Sequence, residues 1–445
     1  MNINLERYVR FGEKLGLSEV EIATEKTVDI EVSVERGDVR GAASTSLERL
    51  VVRGLVGKKL GVYISDRVDE EELKRAIKEV YKIAKSSSPD ERWESLPDPE
   101  PYGSKIGWDR DIERTSPDYY IELMVKASSE ISRRDRRAVL AYGSSGCSYG
   151  YFELVNSRGI HVDDSNGYSY IYVGVIGTGG EVNTPLIIGL SFSRTVDPHT
   201  DKAVSEALGQ LSHAYKTARG KTEKAIVVMD PRPFEELLSF TLIPAVSGEN
   251  VVRGRSPLSD KLGEEVASEK LIIEEDPFLK EGARSSITDG EGVPTRKKLI
   301  IDRGKLKTFL WDNYWAKTRG LKSTGNGFRE WGSGGIHIQP TNLVVKSGKR
   351  RVEDIISGIE HGYYVTGVQG AHSSNPDTGD FSVVANPAFL VEGGEIKGLV
   401  QGLMLGGNIY DLLGKLTEVA REPKYGLTLI SPAVVFEDVP IASKS

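Results

Sequence analysis

Cysteine is nearly absent from this chain of 445 residues, where Cys147 stands alone. No intrachain disulfide can form, and a reducing, cytoplasmic location is expected. Histidine is scarce as well, with 6 in total: His161, His199, His213, His337, His361 and His372. None begins a His-Glu-x-x-His run, the spacing that sets two imidazoles and a carboxylate base on one helix face. Metal ligands scattered through the fold stay open, but no cofactor is expected. Long apolar runs are missing, and none approaches the roughly 20 residues that cross a bilayer. Met1 to Arg10 carries charges where a secretory leader would be apolar, so no membrane association is expected. Excess positive charge is missing too. Lys and Arg number 58 against 65 Asp and Glu, a net charge of −7. Duplex binders carry a basic stripe, so direct nucleic-acid contact is not expected. The two basic clusters, Arg133-Arg134-Asp135-Arg136-Arg137 and Lys349-Arg350-Arg351, read as solvated faces beside acids or helix ends.

What is present points to a globular chain. Apolar residues at 38% supply a sizeable core, and the length suggests two or three domains. The 48 glycines are dispersed and mark turns. Asn4 to Leu15 predicts a short amphipathic helix, and Val28, Ile30, Val32 and Val34 alternate as on a half-buried strand. Gly37-Asp38 follows as a turn, and a meander continues through Val51, Val52, Val56, Leu60, Val62 and Ile64. Asp69 can cap a helix faced by Leu73, Ile77, Val80 and Ala84. Ser86 to Lys105, with Pro89, Pro97, Pro99 and Pro101, reads as a connection. Pro117 to Ser132 predicts a helix, Leu140 to Ile160 a hairpin turning at Asn156 to Gly159, and Tyr168–Gly177 and Leu186–Phe192 further strands. Asp201 to Thr217 predicts another helix. Ala218 to Lys224 reads as a boundary, dividing a domain over 1–217 from one over 225–445. Beyond it come a buried strand at Ala225–Met229 and a helix over Pro233–Val246. Short strands then alternate with glycine-rich turns from Gly282, and a last helix is expected over Asn408–Ala420. The class is α+β: an N-terminal domain of helices and antiparallel strands, then a strand-rich domain.

Chemical motifs are few. Gly220-Lys221-Thr222 lacks the earlier glycine of a phosphate-binding loop, because Tyr215 stands there. Gly146-Cys147-Ser148-Tyr149-Gly150 matches a nucleophile elbow, but Tyr151, Glu153 and Val155 continue it as a strand where a helix is needed. Cys147 reads as a small core or turn residue. Trp311, Tyr314 and Trp315 read as a core stripe at helical spacing. His372 to Ser382 is the richest polar segment, with a titratable histidine and the carboxylates Asp377 and Asp380. It is either a recognition loop or a hairpin whose Asp and Asn satisfy local donors. In Ser323-Thr324-Gly325-Asn326-Gly327, both glycines suit positive φ and Asn326 can take the left-handed region.

The later segments, taken in order, resemble one family. They run from Val266-Ala267-Ser268-Glu269 through Asp289-Gly290-Glu291-Gly292-Val293-Pro294 and Gly304-Lys305-Leu306 to Ser323–Gly327 with Arg329. Gln339-Pro340-Thr341-Asn342, Gly379-Asp380-Phe381-Ser382, Leu390–Ile396 and Gly406-Gly407-Asn408-Ile409 complete the set. Together they resemble the TldD/PmbA family, whose PmbA branch is also called TldE and whose older label is modulator of gyrase. The resemblance implies a curved, strand-rich C-terminal domain. It also implies a division of labour: TldD-like members carry His-Glu-x-x-x-His with a later cysteine and act as zinc peptidases, while PmbA-like members pair with them. Here the motif positions fall on Ile243-Pro244-Ala245-Val246-Ser247-Gly248, with no cysteine after Cys147. The resemblance thus implies a PmbA-like subunit without its own zinc site, joined to a TldD-like zinc protease paralogue or to a second copy, acting on unfolded peptide. Asn326, His372, Asp377, Asp380 and Asn408 are its candidate peptide- or partner-binding residues. Two other readings stand beside it: a free-standing, metal-independent hydrolase using His372 and Asp380, and a regulatory binder linked to DNA gyrase.

Overall fold

The structure is a computed structural model that describes residues 3–443. Helix α1 (Leu5–Leu15) starts where the Asn4 side chain accepts from Arg7 N–H and ends at Gly16, whose φ of 112° reverses the chain. Helix α2 (Glu70–Ser86) starts at Asp69, which accepts from the N–H groups of Glu71 and Glu72. Their apolar faces share a core with Val20, Ile22, Leu50 and Val52. These last four belong to an antiparallel sheet built from β1 (Glu19–Glu35), β2 (Asp38–Val56), β3 (Lys59–Ser65), β4 (Ala138–Asn156), β5 (His161–Gly177) and β6 (Ile187–Ser193), in the order β3-β2-β1-β4-β5-β6. Strands β1, β4 and β5 are 17, 19 and 17 residues long. A strand advances about 3.3 Å per residue, so together they form a long ribbon-like floor.

Helices α3 (Pro117–Arg134) and α4 (Thr200–Ala214) cover one face of this floor. Their other side meets the C-terminal sheets. Met124, Ile131, Ala203 and Ala207 share one buried cluster with Ile30, Leu140, Ile171 and Val173 on one side and Tyr364, Phe389, Val391 and Val435 on the other. The larger C-terminal sheet has ten strands and curls into a half-barrel. At its centre Glu223–Met229 runs parallel to His361–Val365 and antiparallel to Val434–Ser443. A second, six-stranded sheet includes Ile273–Glu275, Lys298–Asp302 and Leu343–Val345. Trp311 and Trp315 are buried in the core of this half and Tyr314 packs against it partly buried, but only Tyr314 and Trp315 lie on a helix, Asn313–Lys317, which Trp311 precedes. No helix among the described residues is long and apolar enough to cross a membrane.

Residues 87–109 form no helix or strand, in line with their prolines. They make a strap with bonds to both halves. Trp93 Nε1 and Leu96 N donate to Glu19, while Asn313 Nδ2 and Lys317 Nζ donate to Ser95 O and Tyr102 Oη donates to Gly292 O.

Three expectations need correction. The strand after the Asn156–Gly159 turn does not stop near Ile160 but runs unbroken over His161–Gly177, held by β4 and β6 on its two sides. The helix expected over Pro233–Val246 is two pieces, Pro231–Phe240 and Leu242–Ala245. Thr241 breaks it by turning its hydroxyl back to Leu237 O, and Pro244 has no N–H to donate. The last helix covers only Ile409–Gly414. Leu416–Val419 is captured as a strand by Val434–Ser443, where β-branched partners pack better than a helix ending in glycine.

Candidate functional site

The uncovered face of the N-terminal sheet meets loops of the C-terminal half, and side-chain alternation decides what lies there. On β4, Ser144, Gly146, Ser148, Gly150 and Phe152 share that face, and the register sets Ser148 beside Asp29 and Tyr168. A cavity of about 410 Å³ lies between Thr27, Ser148, Gly150 and Tyr168 on the sheet and Arg284, Phe328 and Trp331 opposite. A second cavity of about 590 Å³ continues along the same face, lined by tyrosines and Phe192. Ser148, Tyr168 and Leu427 line both, so the two form one trough. Its end is fixed by polar ties between the halves. Asp164 accepts from Ser286 Oγ at 2.7 Å and Ile287 N at 2.9 Å, and Asn166 Nδ2 donates to Ala283 O at 2.6 Å. Arg284 stacks its guanidinium 4.6 Å from the Phe328 ring centre and donates to Gln339 and Thr428.

Behind the trough lies a buried ionic cluster. Sheet register places Glu21 of β1 opposite Arg53 of β2. From the other half, Arg329 Nη2 reaches Glu21 Oε1 at 2.5 Å and also donates to Gly290 O. Arg53 stands 3.6 Å from Glu21 and 3.7 Å from Glu291. Asp289 accepts from the N–H groups of Glu291, Val293 and Gly327, and Asp312 accepts from Trp315 N. Burial, then the Glu291 carboxylate, pushes both Asp289 and Asp312 up to about 8. Both carboxyls therefore hold a proton more tightly folded than unfolded. Their contribution is fully present below the unfolded value near 4 and is lost as pH rises through about 8. The thermal midpoint should fall as pH is raised from about 6 to about 9. Asp312→Asn keeps an acceptor for Trp315 N–H and should flatten that fall; an unchanged slope would remove Asp312 from the cause.

The five residues singled out in the sequence do not form one site. Asn326 is 0% exposed. Its amide donates to Glu275 and Gln339 O and accepts from Thr324 Oγ1 and Lys298 Nζ, which makes it a structural hub. Only Gly325 in this turn has positive φ, at 74°; neither Asn326 nor Gly327 does, contrary to expectation. Asp380 and Asn408 are bonded at 3.0 Å, with Asn408 also capping the helix Ile409–Gly414. Bonds from Asn408 and Thr378 hold the Asp380 carboxyl below its usual range. His372 and Asp377 sit exposed on the same turn-rich segment. None of the five lines the trough. Its lining was missed because Asp29, Glu31, Tyr168 and Tyr170 look like the solvent-facing half of ordinary alternating strands.

The positions that the resemblance assigns to a zinc motif do not fit zinc. Ile243 packs against the core, Pro244 O accepts from Asn250 Nδ2, and a Cβ on Gly248 would lie 2.1 Å from the Trp311 ring. None of these side chains offers a ligand atom. Among the described residues, no group of three His, Cys, Asp or Glu side chains is gathered to hold a metal.

Comparison with known proteins agrees with this architecture. A sequence model of the PmbA/TldA metallopeptidase C-terminal domain matches residues 222–443, and one of the PmbA/TldA metallopeptidase domain 1 matches residues 20–84. The crystal structure of TldE from Thermococcus kodakarensis superposes with a TM-score of 0.95 at 41% identity, over 99% of this chain and 100% of that one. An uncharacterized protein of Methanocaldococcus jannaschii is 29% identical over 98% of this chain and 99% of its own length. Metalloprotease PmbA of Escherichia coli is 28% identical over 95% of this chain and 92% of its own. With the full-length TldE relative at 41% identity and two matching domain models, the chain belongs to the PmbA/TldD family.

Proposed function

We propose that this chain is the PmbA/TldE-like subunit of a TldD-type peptidase complex, without a zinc site of its own. It shapes the space in which unfolded peptides meet a zinc-bearing partner. The observation that carries this reading is the set Ile243, Pro244 and Gly248 at the motif positions, with Trp311 packed where a ligand side chain would stand. Neither isoleucine nor glycine can coordinate a metal, and proline cannot act as a general base. The trough supports the second half of the reading. It is long, open and floored by strands, the geometry that suits an extended chain better than a compact ligand.

The test is reconstitution. This chain, a paralogue carrying His-Glu-x-x-x-His, and their mixture are each given an unfolded peptide, and cleavage is followed by mass spectrometry. Cleavage is expected only in the mixture and should stop with a chelator. Chelator-resistant cleavage by this chain alone would overturn the proposal. In that case His372→Ala and Asp380→Asn would show whether the exposed polar segment carries the activity.

A further inference from the structure

We propose that the second cavity of the trough is a subsite for a cationic side chain, lysine or arginine, of an extended peptide. The inference rests on reading the trough as a channel for unfolded peptide.

The chemistry of the lining is one-sided. Tyr142, Tyr168, Tyr170, Tyr172 and Phe192 give it an aromatic wall, Asp29 and Glu31 give it two carboxylates, and no lysine or arginine lines it. The strand register sets the carboxylates and rings in rows. Glu31, Gly146, Tyr170 and Phe192 stand side by side across four strands, and Asp29, Ser148 and Tyr168 form the next row. Between carboxylate and ring, the middle strand carries glycine or serine, so the floor there is low. The Tyr170 ring leans over that gap, because its hydroxyl lies 3.1 Å from where a Cβ on Gly146 would be. The rings are mutually braced: Tyr168 and Phe192 are 6.1 Å apart, and Tyr142 and Tyr172 are 5.8 Å apart.

An ammonium or guanidinium group between a carboxylate and the faces of tyrosine rings is attracted by both. Asp29 and Glu31 make no ion pair with any described residue, although many other surface acids here do. Two like charges on alternate residues of one strand face repel, and a cation between them relieves that repulsion. The nearby cations are already engaged. Arg284, beside Tyr168, donates to Gln339 and Thr428, and Arg232, beside Tyr172, donates to Thr366 O. A peptide fits better than a free amine because the cavity opens into the first through Ser148, Tyr168 and Leu427.

The test uses the full chain alone and two fluorescently labelled ten-residue peptides, one alternating Ser with Lys and one alternating Ser with Gln. Anisotropy at low salt should show the lysine peptide binding at least about tenfold tighter, with the difference shrinking as salt is added. Asp29→Asn with Glu31→Gln should abolish the preference, while the thermal midpoint stays put. Glu31→Lys, at an exposed position, should shift preference toward a Ser/Glu peptide. Tyr170→Leu should weaken the lysine peptide more than the glutamine peptide. Equal binding of both peptides, or a preference that survives the double variant, overturns the subsite. Free lysine displacing the peptide at matching concentration would assign the cavity to small amines and also overturn the proposal. Reconstitution with the zinc-bearing paralogue reads the subunit role separately, so either idea can fail while the other stands.

Discussion

Arg329→Met is expected to lower stability by about 3–5 kcal/mol, the cost of breaking a buried ion pair on one side only. The Arg329 side chain is 1% exposed and that of Glu21 is 0% exposed. Methionine keeps the aliphatic stem but not the guanidinium, so the loss combines the missing charge and hydrogen bonds with the small void left in a site that is 1% exposed. Glu21 would keep only Arg53, at 3.6 Å, and Gly290 O would lose the guanidinium donors at 2.7 and 3.0 Å. Because the pair joins residues 308 apart in sequence, the change loosens one half of the molecule from the other. Denaturant midpoints of the wild type, Arg329→Met, Glu21→Gln and the double variant settle it. The double variant should recover part of the loss, since it leaves no unpaired buried charge. Simple addition of the two single losses would show that the pair is not coupled.

Gly248→His is expected to cost more than about 3 kcal/mol, above the usual range for overpacking. Its Cβ would meet Trp311 Cε3 at 2.1 Å, Cζ3 at 2.5 Å and Cδ2 at 2.6 Å. Trp311 has little room to retreat. Its backbone N–H and carbonyl bond with Thr324 and Ser323, its ring packs on Phe309 at 6.4 Å, and Gly248 N is itself bonded to Leu310 O. Writing the whole motif back with Ile243→His, Pro244→Glu and Gly248→His should therefore give a destabilised chain that binds no stoichiometric zinc. Metal analysis of the purified variant, with its thermal midpoint, tests this. Tight zinc binding by the triple variant would mean that Trp311 swings aside and that the site was lost only in side chains.

The local part of the fold was legible because its causes are local. Asn4 and Asp69 cap the helices that the periodicity predicts, and the β1–β2 alternation and the Asn156–Gly159 turn are written in consecutive residues. The middle of β4 was legible only in outline, as part of the Leu140–Ile160 hairpin. Its run of glycine, serine and cysteine has low strand propensity and imitates a nucleophile elbow, and only pairing with β1 and β5 on both sides makes it a strand. Asn326 was misjudged for a similar reason. Two flanking glycines suggest an open turn, while the partner that buries it, Glu275, lies 51 residues away. Arg329 and Glu291 stand within the segments that carry the family resemblance, yet Glu21 and Arg53, which complete their cluster, come from the opposite half. Long-range partners of this kind leave no trace in the spacing of neighbours.

The helices α3 and α4 have a consequence for how such a protein can be inherited. They lie between two sheets, so the apolar floor of one half is the ceiling of the other. A gene rearrangement that delivered residues 222–443 by themselves, the span of one matching domain model, would leave Tyr364, Phe389, Val391 and Val435 facing water. Such a fragment would aggregate before it could be tried for a new role. The unit that buries its own apolar surface is thus larger than the unit recognisable by sequence.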